Sequence, residues 1–209
     1  MTVKELKGVT MKRKESTKTA SDVYDWDKLD MIIRKCESID KELGFLLDIL
    51  RWTGLRVSDA LDLRYKDVMG EVLRVTEKKT NKSHESKIRH RFKERMNYWL
   101  GINEPKDVNE LIFKSVSRDG VIQPKNQTSL LKRFQYVSKR HNGGCNKVGF
   151  HSVRKSFGYK LYEIGKNNND VIIQLMRIFN HSRPAITLKY IGVTKEQDEQ
   201  LLDSLYLDM

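Results

Sequence analysis

From Asp25 onward the apolar residues fall into two successive helical patterns. Leu29, Ile32, Ile33 and Cys36 share one face, which predicts a helix beginning near Asp25. Leu43, Phe45, Leu46, Leu47, Ile49, Leu50 and Trp52 then make a run that is apolar almost all round, so the second helix should lie at the centre of a core and end at Gly54. Between Glu71 and Arg91 the period changes. Val72, Leu73 and Val75 precede a polar Lys79-Thr80-Asn81-Lys82 and Ile88 follows it, the signature of a β-hairpin with a basic, exposed tip.

Further along, Phe92, Met96, Trp99 and Leu100 predict a helix stopped by Gly101 and Pro105, and Leu111-Ile112-Phe113 reads as a short third strand. Thr128 and Ser129 can cap a helix through His141 whose Leu130, Leu131, Phe134 and Val137 face inward. The apolar density from Val171 to Phe179 exceeds a single stripe and predicts a buried helix, and Pro184 can begin a short helix containing Tyr190. Thr194 and Gln197 have capping-box spacing ahead of Leu201, Leu202, Leu205 and Leu207, a last amphipathic helix that must dock on something. The expected fold class is α+β, mainly helical, with a small three-stranded antiparallel sheet. The expected division is a flexible basic segment over residues 1–24, one domain over 25–193 and a tail helix over 194–209.

Charge narrows the choice of partner. The chain has 209 residues, with 40 Lys and Arg against 28 Asp and Glu, a net charge of +12 and a pI near 9.6, which points to a polyanion. The distribution is uneven: nine Lys or Arg and no acid lie between Gly120 and Leu161, whereas five acids lie between Glu196 and Asp208. Two cysteines, Cys36 and Cys145, with no Cys-x-x-Cys or His/Cys cluster, argue against a disulfide framework and a zinc site and fit a reducing cytoplasm. No apolar run approaches the length that spans a bilayer, so the expected localisation is cytoplasmic, with no membrane partner.

The candidate chemistry lies in the stretch from Phe150 to Tyr190. It holds His151 and Arg154 one helical turn apart, the Asn180-His181-Ser182 triplet, and Tyr190 nine residues past His181. An Arg fork can bind two phosphate oxygens, a His can move a proton near neutral pH, and a Tyr oxygen can form a covalent phosphoester. Any one of these motifs is weak, and a helical His-x-x-Arg is more often a surface pair. The odds change with Thr53-Gly54-Leu55-Arg56 and Asp59 a hundred residues upstream.

In this order and spacing, over roughly residues 25 to 193, the chain resembles the catalytic domain of the tyrosine recombinases, the family of phage integrases. The departures are Ser152-Val153 where that family usually has Asp-Leu, Asn180 where it has Gly, and a longer stretch from Gly165 to His181 with Lys166-Asn167-Asn168-Asn169 as the expected insertion. The resemblance implies a site-specific recombinase that cleaves and rejoins DNA through a 3′-phosphotyrosyl link, with no cofactor and no metal. It assigns Arg56, Lys79, His151, Arg154, His181 and Tyr190 as the catalytic set. Tyr190 is then the nucleophile, Arg56 and Arg154 the phosphate clamp, and Lys79, favoured over Lys78 and Lys82, the acid for the leaving 5′ oxygen. His151 handles the tyrosine proton, His181 donates to a phosphate oxygen, and Asp59 braces the constellation.

The expected partner is double-stranded DNA, with a homo-oligomer on DNA and a monomer in free solution. Two alternatives stay open from sequence: a catalytically silent DNA-binding or regulatory protein of the same fold, and a type IB topoisomerase-like enzyme. Integrases usually carry a helical core-binding domain ahead of the catalytic one, and the stretch before Asp25 is too short for it.

Overall fold

The computed structural model describes residues 25–78, 81–141, 148–166, 168 and 170–193. The expected basic segment over 1–24, the tail helix over 194–209, and Lys79 lie outside the described residues. Helix α1 (Trp26–Ile39) begins where the periodicity places it, because the Asp25 carboxylate accepts the free N–H groups of Asp27 and Lys28 at 3.0 and 3.2 Å. Helix α2 (Lys41–Thr53) is entered through Asp40, which accepts the Leu43 N–H at 3.1 Å, and it is the central helix: Leu43, Phe45, Leu46, Leu47, Ile49 and Leu50 are all buried.

Two short helices, α3 (Val57–Leu61) and α4 (Tyr65–Val68), follow, then strands β1 (Val72–Thr76) and β2 (Ser83–Lys87) pair antiparallel from Val72 opposite Lys87 to Thr76 opposite Ser83. Helix α5 (His90–Ile102) packs on α2, and Trp99 stacks on Phe45 with ring centroids 4.5 Å apart. It runs through Gly101, so that glycine does not act as the stop. After a second hairpin of β3 (Lys114–Val116) and β4 (Ile122–Pro124) come α6 (Gln127–His141), α7 (Phe150–Gly165), α8 (Val171–Phe179) and α9 (Pro184–Ile191).

The α+β class holds, with a different sheet arrangement. Leu111-Ile112-Phe113 does not extend the first hairpin into a three-stranded sheet. The Ile112 N–H donates to the Leu63 carbonyl at 2.9 Å and Leu111 bridges to Arg64, so this buried segment runs beside the α3–α4 connection and the strand proper starts at Lys114. Among the described residues the result is two separate two-stranded hairpins. Two further corrections concern helices. Asn126, not Thr128 or Ser129, caps α6, since its side chain accepts the N–H groups of both. Helix α8 buries only the single stripe of Val171, Leu175 and Phe179, while Ile173 stays exposed.

Among the described residues, packing divides the apolar side chains into two clusters. The larger is built on α2 and gathers side chains from α1, α5, α6 and the start of α7. The smaller comprises Val171, Leu175, Phe179, Ile191 and Val193, with Phe157, Tyr159, Leu161 and Tyr162 of α7 packed against it. Helix α7 therefore faces both clusters, and Arg154 lies on it at the place where they meet.

Candidate active site

Helix α2 ends at Gly54, whose φ of +65° is the left-handed conformation that glycine adopts without a Cβ penalty. A Cβ there would also stand 2.4 Å from the Phe157 ring, so the turn lies against α7. This turn carries two functions. Its Gly54 carbonyl accepts Arg154 Nη1 at 2.5 Å, and two residues later Arg56 occupies the cap position of α3. Arg154 is 3% exposed; its other Nη donates to the Phe179 carbonyl at 3.3 Å, and its guanidinium lies 4.7 Å from the Phe179 ring centroid. Arg56 reaches the same Phe179 carbonyl at 3.5 Å. Both guanidiniums of the sequence motifs thus converge on the C-terminal end of α8.

That end is shaped by Asn180, which takes φ +56° and closes the helix in the left-handed conformation. The departure from Gly at this position is accommodated because Asn is, after Gly, the residue that best tolerates this region. The reversal turns His181 toward α9, where its Nδ1 lies 3.1 Å from the buried Thr187 hydroxyl. Tyr190, near the end of α9, sets its ring 5.1 Å from His181 and 5.2 Å from Phe179, with Lys155 Nζ 5.8 Å from its centroid.

The electrostatics follow from this enclosure. The Tyr190 hydroxyl is buried; burial pushes its pKa above the ordinary tyrosine value, opposed by the charges of Arg154 and Arg56. Among the described residues the Tyr190 oxygen has no hydrogen-bond partner, while Arg154 is close enough to act on it by charge. Burial likewise lowers the Arg154 pKa, with the nearby Arg56 acting in the same direction. His181 is held below the usual imidazole range by burial, then by Arg154 and Arg56, so it is neutral at neutral pH.

Four of the six sequence-predicted residues, Arg56, Arg154, His181 and Tyr190, are thus brought together. His151, the second residue of α7, stands at the exposed end of the helix that carries Arg154. Asp59 is buried and accepts the Lys78 N–H at 3.2 Å, so it ties α3 to the base of the first hairpin's tip. Among the described residues no three His, Cys, Asp or Glu side chains are grouped to hold a metal ion.

Glu77 was not singled out by sequence. It is fully buried, and its carboxylate faces Arg56 Nη1 at 2.5 Å, a contact of opposite charge. The signal that could have found it is the two-residue period of the strand: Leu73, Val75 and Glu77 point to one side, and an acid on the inward side needs a cationic partner.

The model of the phage integrase family matches residues 23–197. The chain is 33% identical over 147 residues to the "Probable integrase/recombinase YoeC" of Bacillus subtilis (strain 168), covering 69% of this chain and 74% of that protein. Among solved structures it is similar to the XerH site-specific recombinase bound to its palindromic difH substrate in a post-cleavage complex, with a TM-score of 0.66 and 21% identity over 86% of this chain and 51% of that one. It is also similar to a lambda integrase dimer bound to a COC' core site, with a TM-score of 0.60 and 16% identity over 85% of this chain and 51% of that one. The chain spans about half of each of these two solved proteins.

Proposed function

Because this chain belongs to the phage integrase family, we propose that it is a site-specific DNA recombinase that breaks and rejoins strands through a covalent tyrosyl link. The observation that carries the reading is the convergence of two guanidiniums, a neutral imidazole and a buried phenol at the end of α8. A phosphodiester set against Arg56 and Arg154 has its non-bridging oxygens facing fixed donors, aimed at the charge that grows as phosphorus becomes pentacoordinate.

Tyr190 Oη then attacks phosphorus, the bond from phosphorus to the 5′ oxygen breaks, and a 3′-phosphotyrosyl ester and a free 5′ hydroxyl result. Its raised pKa means that the phenol arrives protonated, so attack must shed that proton. His151, at the solvent end of α7, is the proposed acceptor, and the basic tip bearing Lys79 is the proposed proton source for the 5′ oxygen. Neutral His181 can donate one N–H to a phosphate oxygen, while Thr187 fixes the other side of its ring. Because the bond energy is kept in the ester, a second 5′ hydroxyl can reverse the step on a new partner without a nucleotide.

The reading extends to partners. The basic surplus suits duplex DNA, and the relatives solved on DNA, including a lambda integrase tetramer bound to a Holliday junction, support a homo-oligomer on the substrate. We propose residues 25–193 as the catalytic domain, with a monomer in the absence of DNA. No described helix is long and apolar enough to cross a membrane, and the cytoplasm is the proposed location.

The test is covalent capture. Wild-type protein incubated with a pool of nicked duplexes of random sequence should give an adduct that survives denaturing gels, and Tyr190→Phe should abolish it with DNA binding kept. An adduct that persists in Tyr190→Phe would overturn the nucleophile and with it this reaction.

A further inference from the structure

Glu77 stands next to the reacting groups without a role in the reaction just described. Its carboxylate is fully buried, whereas the Arg56 side chain it faces is 18% exposed. An anion arriving from solvent therefore meets Arg56 first, with Glu77 behind it. The backbone that carries the carboxylate is held on both sides: the Glu77 N–H donates to the Lys82 carbonyl at 2.9 Å and the Asn81 N–H donates to the Glu77 carbonyl at 2.8 Å. Asp59 holds the next residue, Lys78, through its N–H. The acid three residues after Arg56 thus serves the hairpin, and the acid that follows the first hairpin strand serves Arg56.

We propose that Glu77 is a positioning residue for strand cleavage: from the protein side it fixes the Arg56 guanidinium, so that the opposite edge is presented to the scissile phosphate. It also offsets part of the repulsion between Arg56 and Arg154 while no phosphate is bound, and its field reaches Arg154 and His181 as well. The proposal rests on the recombinase reading for its reaction, and on the Arg56 contact for its geometry. Arginine fixed at one edge loses less rotamer freedom when the other edge binds, which is the form of preorganisation that speeds a chemical step.

The experiment uses Glu77→Gln, which keeps volume and loses charge, alone and combined with Arg56→Ala. On a nicked duplex captured by wild-type protein, single-turnover cleavage by Glu77→Gln should fall about 10²-fold, the scale on which a misplaced reacting group slows a reaction. Affinity for a random-sequence duplex should stay level or tighten, since one negative charge leaves the site. In the Arg56→Ala background, followed over extended times, Glu77→Gln should change the rate by no more than about twofold.

A variant that cleaves like the parent overturns the proposal. So does an equal fall in both backgrounds, which would mean that Glu77 only supports the fold. A second readout needs no cleavage: the guanidinium N–H signals of Arg56 in nitrogen-15 spectra should show restricted rotation in the parent and free rotation in Glu77→Gln, and identical signals overturn the positioning role. If the parent captures no duplex, the recombinase reading is what fails, and the spectra alone decide whether Glu77 holds Arg56.

Discussion

The larger cluster, with Phe45, Leu46, Leu50, Phe113 and Phe134 fully enclosed, is surrounded by α1, α2, α5, α6 and the front of α7. The smaller is a thin layer between the back of α7 and the pair α8–α9, and its rim residues Val171 and Val193 are each 8% exposed. Arg56 and the Gly54 carbonyl that holds Arg154 are products of the first region; His181 and Tyr190 belong to the second. Among the described residues, one region therefore fixes the proposed phosphate clamp by many mutually supporting contacts, and the other carries the proposed nucleophile on few. A phosphate clamp gains from rigidity, whereas a nucleophile that must meet and leave a phosphorus atom gains from a lighter attachment.

Substitutions on either side can break this contrast. Phe45→Ala, which removes a fully buried ring stacked on Trp99, should cost about 3–5 kcal/mol and lower the midpoint of global unfolding, read by calorimetry. A loss confined to α8–α9 would contradict the division. Arg154→Lys keeps the charge but loses the fork shared by the Gly54 and Phe179 carbonyls, and cleavage should fall by about 10²-fold or more. Activity within a few-fold of the parent would show that two-point contact is dispensable.

Gly158→Ala places a Cβ 2.5 Å from Phe179 Cζ and 2.8 Å from Ile191 Cγ2, pushing α8 and α9 off α7. Overpacking of this kind costs about 1–3 kcal/mol. It should appear as lost hydrogen-exchange protection in α8–α9, with α2 still protected and cleavage reduced. Uniform loss across both regions would merge them into one unit. The smallest effect is a pH dependence. The folded pKa of His181 is depressed, so the unfolded chain binds its proton more readily and the smaller region loses stability as pH falls below the ordinary imidazole value and through the folded one. His181→Phe should flatten that acid limb in pH-resolved exchange of α9 amides; an unchanged limb would place the titration elsewhere.

The helices built on strong periodicity were legible from sequence, as was the ordered set of Arg56, Arg154, His181 and Tyr190 that the fold gathers. What escaped depends on partners that periodicity does not name. The apolar run of Val171–Phe179 does not say that only one stripe finds a neighbour, and Leu111–Phe113 looks like a sheet strand although Leu63 takes its hydrogen bond. Glu77 was hidden because an acid beside a basic hairpin tip looks solvated until the two-residue period is carried one step further. Asn180 reads as a departure from a glycine motif, and only its left-handed φ shows that the turn is kept.

The Phe179 carbonyl receives both Arg56 and Arg154, although these arginines come from distant parts of the chain. For an engineer this marks a seam. A chain divided between α7 and α8 would leave both arginines on one fragment and His181 and Tyr190 on the other, so neither piece alone would hold the full set proposed to form the covalent link. Joining each fragment to one member of a dimerising pair would make the proposed strand cleavage a reporter of that pair's encounter, with the Phe179 carbonyl and the packing of α7 against α8 and α9 as the contacts to be restored.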